Sequence, residues 1–209
     1  MATTHEDFEA VILAAGDYPT RPTLLPLLAH PRLICCDSAA TEFIASEKRT
    51  PWRIVGDLDS LPKEVRTGLS DIIVHEAEQE TNDLSKAVRY AVAQGFRRIA
   101  ILGATGRRED HTLGNISLLI DYMRQGVSAT MLSDYGTFIP CSSDFSASIS
   151  PGTQVSIFSF GATNFESSGL RYPLHDFTNW WQGTLNEATE AHVEIHVKGD
   201  FLVYVCAES

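Results

Sequence analysis

Two carboxylates one residue apart, Asp57 and Asp59, stand in the stretch Gly56-Asp57-Leu58-Asp59-Ser60. Arg53-Ile54-Val55 before it reads as a short β-branched strand, and Leu61-Pro62 after it suits the first turn of a helix. The pair therefore sits where a strand stops and a loop begins, the end at which open α/β sheets bind ligands. Neighbouring anions repel. They are tolerated when solvated, when one is protonated, or when a cation lies between them. The cation alternative calls for hard oxygen ligands, hence Mg²⁺ or Ca²⁺ rather than zinc. An isolated Asp-x-Asp is more often a solvated turn, so the rest of the chain has to decide.

Other predicted strand ends carry acids or glycines as well. Asp37 follows Leu33–Cys36, and Glu80 and Asp83 follow Ile72–Val74. Ile99–Leu102 breaks into a loop from Gly103 to His111 that holds Thr105, Arg107, Arg108 and Asp110. In a parallel sheet these ends share one edge, where Asp57, Asp59 and Asp83 could assemble a metal site. Gly103 and Gly106 allow backbone to approach an anion, Arg107 and Arg108 offer donors to phosphate oxygens, and Asp110 or a neighbour caps a helix whose amides can face phosphate. Each piece has a plainer job: Asp37 and Asp83 as helix caps, the arginines as surface charge, His111 as a loop histidine, Glu76 to Glu80 as a solvated acidic loop. Their coincidence on one edge favours a Mg²⁺–nucleotide site. The chain has no G-x-x-x-x-G-K-[ST], and no G-x-G-x-x-G after the first strand.

The elements that must position these groups follow a clear rhythm. Apolar runs at Ala10–Ala15, Leu33–Cys36, Arg53–Val55, Ile72–Val74, Ile99–Leu102 and Ala129–Leu132 read as strands. Between them fall a short helix around Leu24–Leu28, one capped by Asp37 or Ser38 and running to about Lys48, one capped by Asn82 or Asp83 and running to Gln94, and a long amphipathic helix ending at Gly126. Alternation of this kind predicts a parallel sheet covered on both faces. Beyond about Tyr135 only β-like runs remain, at Thr137–Cys141, Val155–Phe160, Gly169–Tyr172, His192–Val197 and Phe201–Val205, with Lys198-Gly199-Asp200 fitting a hairpin loop. The prediction is an α/β fold: an N-terminal parallel-sheet α/β/α domain, residues 1–135, followed by a C-terminal all-β sandwich, residues 136–209.

Composition narrows the function. With 209 residues, 44% hydrophobic content and a net charge of −11, the chain can bury a core but makes a poor nucleic-acid partner. An anionic substrate would need a metal or placed arginines. Cys35, Cys36, Cys141 and Cys206 lack zinc spacing and read as free buried thiols of a reducing compartment. The acidic Met1–Asp7 stretch is no signal peptide and no apolar run approaches a membrane span, so a soluble cytoplasmic protein is expected.

These motifs together resemble the thiamine pyrophosphokinases. The resemblance rests on Asp37-Ser38-Ala39-Ala40, Gly56 to Ser60, Gln79 to Asp83 with Leu84 and Lys86-Ala87, Gly103 to His111 with Asn115, and more loosely Gly169 to Leu174 and Thr184-Leu185-Asn186-Glu187. It implies transfer of diphosphate from ATP to the hydroxyethyl oxygen of thiamine, giving thiamine diphosphate and AMP, in a homodimer with thiamine between protomers. It implies Mg²⁺ on Asp57, Asp59 and Asp83, a further acid at Asp37, and a loop Arg and Asp at Arg108 and Asp110. Gln79, Gly103, Thr105, Arg107 and His111 fall near the substrates, and Thr184 and Asn186 near thiamine. Trp180 and Trp181 precede that loop and suit the thiazolium cation or an interface. Asp110 and Asp37 both remain open as partner for the hydroxyl proton. The chain departs from the family's usual Gly at Arg107, Thr at Asn82 and Ser at Leu185.

Overall fold

The computed structural model describes residues 8–207; the acidic stretch 1–7 lies outside the described residues. Six strands follow the predicted runs: β1 (Ala10–Leu13), β2 (Leu33–Cys36), β3 (Arg53–Gly56), β4 (Ile73–His75), β5 (Arg98–Leu102) and β6 (Ser128–Ser133). All are parallel, in the order β4-β3-β2-β1-β5-β6. Side chains alternate between the sheet's two faces. Ile12, Ile34, Val55, Ile99 and Ile101 pack with Leu84, Ala87, Val88 and Ala91 of α4 (Asp83–Ala93) and with Leu119 and Ile120 of α5 (Glu109–Arg124). Val11, Leu13, Leu33, Ile54 and Leu102 face the other way, onto Leu27 and Leu28 of α1 (Leu25–Leu28) and Ala40 and Phe43 of α2 (Ala39–Glu47). Cys35 and Cys36 fall on opposite faces, as the pleat requires, and all four cysteines are free. The remaining short helix is α3 (Lys63–Gly68).

Beyond Tyr135 the chain forms β7 (Gly136–Ser148), β8 (Gln154–Ser168), the short β9 (Asn186–Glu187) and β10 (His192–Cys206), all antiparallel. Because β6 pairs with β7, one hydrogen-bonded sheet of ten strands runs through both halves. A second core around Ile157, Val193, Ile195, Phe201 and Val203 sits under the antiparallel half.

Two sequence expectations need correction here. Lys198-Gly199-Asp200 is no hairpin. His192–Val197 and Phe201–Val205 belong to one strand, β10, whose register against β7 and β8 shifts between His196 and Phe201, with Gly199 at φ 111°. The glycine serves a bulge that bends a strand paired on both sides. Gly169–Tyr172 is no strand either; it is a loop joined to the sheet by a bridge from Leu170 to Ala188. Among the described residues, no helix is long and apolar enough to cross a membrane.

On the outward face of β10, exposed His196 pairs with Asp144 of β7 at 2.7 Å. The hydrogen bond to Asp144 raises the pKa of His196, and the same bond lowers that of Asp144. A raised His stabilises fully below its unfolded value of about 6.5 and loses that contribution as pH climbs through the higher folded value. A depressed Asp stabilises above its unfolded value of about 3.9 and loses that as pH falls through the lower folded value. The difference in Tm between wild type and His196→Gln is therefore expected to be greatest between those two values and to shrink on either side. Thermal melts across pH check it, and a difference independent of pH would refute it.

Candidate functional site

The C-terminal ends of β1, β2, β3 and β5 open onto a cleft of about 460 Å³. Its walls include Asp57, Gln79, Asp83, Lys86, Arg107, Arg108, His111 and Asn115, drawn from loops and from the starts of α4 and α5, far apart in the chain. The parallel topology brings them together, as the strand-end positions suggested.

Leu58 adopts a left-handed conformation, φ 69°, so the turn doubles back and the Asp59 amide donates to Asp57 Oδ1 at 3.1 Å. Gln79 Nε2 donates to Asp57 Oδ2 at 3.0 Å. These two donors, the amide first, hold the Asp57 carboxyl below its usual pKa. Gln79 is steadied by its own loop: Glu78 accepts from Thr81 N and Oγ1 and pairs with Arg89 at 3.0 Å. The acidic loop is thus pinned to α4, whereas a solvated loop was the plainer expectation.

Asp83 starts α4. Its cap is Asn82, whose Oδ1 accepts from Ser85 N at 2.9 Å. Asp83 is therefore free for Lys86, one turn on, whose Nζ lies 3.1 Å from Asp83 Oδ1 and 3.6 Å from Asp57 Oδ2. Lys86 is only 2% exposed. Burial works against its charge, and the two carboxylates outweigh that and raise its pKa. The cation between the two acids is an ammonium on this chain. A lysine in a first turn reads as solvent-facing from sequence, and its partner Asp57 lies far back in the chain, so only the motif spacing Asp83-x-x-Lys86 could have pointed to it.

Asp37 is buried and does not cap α2, whose N-cap Ser38 also makes no side-chain cap bond. Instead Asp37 Oδ2 accepts from Ser60 N at 3.1 Å, and Oδ1 has no hydrogen-bond partner. Burial raises its pKa, and nearby Asp83 and Asp57 add to the rise. Gly56 is what admits this crowding: a Cβ there would come 2.9 Å from Asp37 Cβ and 3.3 Å from Asp83 Oδ1. Asp59 is exposed and lies outside the cleft walls.

Among the described residues, no three His, Cys, Asp or Glu side chains are arranged to hold a metal. Asp57 and Asp83 meet, but Asp59 does not join them. The donor chemistry still fits a hard divalent ion: two carboxylates face the cleft and the unpartnered Oδ1 of Asp37 is buried close by.

The loop after β5 is tied down by backbone. Gly103 O accepts from Gly16 N at 2.6 Å, and Thr105 O accepts from Asp17 N at 2.8 Å. Gly103 and Thr105 thus anchor the loop to the turn after β1 and do not line the cleft. Arg107, at φ 59°, donates to Ala15 O at 3.0 Å and Glu42 Oε2 at 2.8 Å, so its guanidinium clamps this loop to α2. Arg108 stands at the N-cap of α5 and forks onto Asp110 at 3.1 and 2.6 Å, which holds the Asp110 carboxyl below its usual pKa. Arg108 itself makes no side-chain cap bond, whereas Asp110 Oδ1 accepts from the first-turn amide of His111 at 2.9 Å. Asn115 is buried, donates to Ala104 O at 2.8 Å and accepts from Asn82 at 2.9 Å, linking α5 to α4 behind the cleft. His111 is exposed at the rim.

Three expected thiamine contacts lie in the antiparallel half, outside this cleft. Trp180 packs on Phe158 and Phe160 and donates to Ser159 O at 3.0 Å, whereas Trp181 is 73% exposed. Thr184 Oγ1 donates to Trp181 O at 2.7 Å. Asn186 is buried, accepting from Tyr172 N and Glu187 N and donating to Tyr172 O at 2.7 Å, so it holds the Tyr172 loop. Asn186→Ala would strip both backbone groups of Tyr172 and is expected to cost about 2 kcal/mol, or about 6 °C in Tm, in thermal unfolding. An unchanged Tm would mean the loop has other support.

A parallel α/β half with an acid- and arginine-lined cleft at its strand ends, joined to an antiparallel β half, defines a nucleotide-site architecture. The thiamin pyrophosphokinase catalytic domain matches residues 27–131, and the thiamin pyrophosphokinase substrate-binding domain matches residues 136–204. The chain belongs to the thiamin pyrophosphokinase family. Thiamin pyrophosphokinase 1 of Caenorhabditis elegans is 32% identical over 98 residues, covering 43% of this chain and 40% of its own length. Thiamine pyrophosphokinase of Bacillus subtilis is 31% identical over 86 residues, 39% of this chain and 40% of its own. The matched stretch thus spans well under half of these curated relatives. The crystal structure of the B. subtilis thiamine pyrophosphokinase superposes with a TM-score of 0.78 at 19% identity over 96% of this chain and all of that one. Thiamin pyrophosphokinase from Candida albicans does so at 0.77 and 16% identity, over 98% and 90%. At such identities these two carry the fold alone.

Proposed function

We propose that the chain is a thiamine diphosphokinase, moving diphosphate from ATP to the hydroxyl of thiamine and releasing AMP. The observation that carries this reading is one cleft in which Asp57, Asp83 and Gln79 face Arg108 and the glycine-bearing loop after β5. Asp57 and Asp83, which face the cleft, are the residues that would hold Mg²⁺, with Asp59 joining them only if its exposed side chain turns inward, and the ion would neutralise polyphosphate charge that a chain of net charge −11 otherwise repels. Arg108 turns from Asp110 to the phosphates and steadies the charge that grows as the β-phosphorus is attacked. Asp110, freed from Arg108, and Asp37 are the two acids available for the hydroxyl proton. Gln79 orients Asp57. Positioning and electrostatics do most of the work in such chemistry.

Residues 1–135 carry the nucleotide in this reading, and 136–209 carry thiamine and the contact with a second copy. The exposed Tyr172, Trp181 and Leu185 form the apolar surface that a homodimer would cover, with Trp180 and Thr184 beside it. The four free thiols fit a reducing, cytoplasmic setting. Incubating the protein with ATP, Mg²⁺ and thiamine should yield AMP and thiamine diphosphate in equal amounts. ATP consumption that ignores thiamine would point to a different phosphate substrate, and no AMP at all would end the proposal.

A further inference from the structure

Lys86 is the one buried charge in the cleft that the reading above leaves without a task. Its position is unfavourable twice over. It is almost wholly out of water, and it sits in the first turn of α4, where the helix dipole repels a cation. Only Asp57 and Asp83 offset this, and both are oxygens a divalent ion would need. Lys86 lines the cleft beside both acids, so its ammonium is within reach of a ligand that enters there.

We propose that Lys86 is a positioning residue that keeps bare divalent ions off the Asp57–Asp83 pair, so that the ion enters only together with a polyphosphate. This inference rests on the function proposed above. The charge logic has two sides. Without ligand, Lys86 lies 3.1 Å from Asp83 Oδ1 and 3.6 Å from Asp57 Oδ2, so an incoming divalent cation meets a resident positive charge at contact distance. When a polyphosphate arrives, its oxygens accept hydrogen bonds from Lys86, which then releases Asp57 Oδ2 and Asp83 Oδ1. The site is thus preformed but closed to bare metal, which keeps the protein from being trapped as a metal-only form.

The test is Mn²⁺ uptake read by the electron paramagnetic resonance of the free ion, on the intact protein. Wild type should take up little Mn²⁺ alone and, beyond what tripolyphosphate removes in a protein-free control, markedly more once inorganic tripolyphosphate is added. Lys86→Met should bind Mn²⁺ alone at least about tenfold more tightly than wild type, and Lys86→Arg should behave as wild type. Lys86→Met should also melt lower than wild type without metal and regain Tm when Mn²⁺ is added. Tight Mn²⁺ binding by wild type alone would overturn the proposal even if Lys86→Met fails to fold. So would a Lys86→Met protein that folds and binds Mn²⁺ no better than wild type. None of these readings needs thiamine or turnover, so failure of the proposed activity and failure of this inference are told apart.

Discussion

Asp57→Asn is expected to cut kcat/KM for thiamine diphosphate formation about a thousandfold, or about 4 kcal/mol on the barrier. Both Asp57 oxygens already accept, Oδ1 from the Asp59 amide and Oδ2 from Gln79, with Lys86 3.6 Å from the same Oδ2. Asparagine has one acceptor, so its NH₂ must face a donor on one side or the other and one of the two bonds is lost, a small cost because both donors can turn to water. The lost charge matters more. Without it Lys86 has Asp83 alone, and the carboxylate pair available to a divalent ion beside the polyphosphate is halved. Stability should follow with a defined sign. The pKa of Asp57 is lowered in the folded state, so its contribution is present above the unfolded value of about 3.9 and disappears as pH falls through the lower folded one. The Tm gap between wild type and variant should therefore close in acid. AMP release by Asp57→Asn at near wild-type rate would remove Asp57 from the site.

The strand ends were legible because burial on both faces leaves a near-continuous apolar run, as β1, β2 and β5 each carry. Side-chain direction beyond them was not. Asp37 followed by Ser38 has the composition of a cap, yet Asp37 turns to Ser60 because β3 lies beside β2 and brings its loop within reach. Asn82 did cap as its type suggested, because no competing partner sits closer to Ser85 N. Lys198-Gly199-Asp200 looks the same in a bulge as in a turn, since both use a glycine at positive φ; only pairing of β10 with β7 and β8 at once separates them. Arg107 and Lys86 share a lesson. Each is a cation whose task is set by a residue remote in sequence, Glu42 for one and Asp57 for the other. Motif order placed both at the site, and only packing distinguished a clamp on the loop from a counter-charge to the acids.

Gly16→Ala should combine the second largest loss of activity with a clear loss of stability, because the backbones of the turn after β1 and the loop after β5 interleave at close range. A Cβ on Gly16 would come 2.3 Å from Thr105 O and 2.5 Å from Gly103 O, and a Cβ on Gly103 would come 2.6 Å from Ala14 O. Neither oxygen is the end of a flexible side chain, so the methyl can be housed only by moving one backbone off the other. That move breaks the bonds from Gly16 N and Asp17 N to the loop and pulls Ala15 O away from Arg107. Overpacking of this kind costs about 1–3 kcal/mol. The loop that carries Gly106, Arg107 and Arg108 shifts with it, and a displacement of about 1 Å at a reacting group can cost about a hundredfold in rate. The KM for ATP should rise more than that for thiamine, since the loop faces the nucleotide end of the proposed site. Gly68→Ala is the control: nothing lies within 4 Å of a Cβ there, so it should leave Tm unchanged or raise it by about 0.5 kcal/mol equivalent. If Gly16→Ala kept both its Tm and its ATP dependence, the two loops would have to be far more compliant than their interlocked backbones allow.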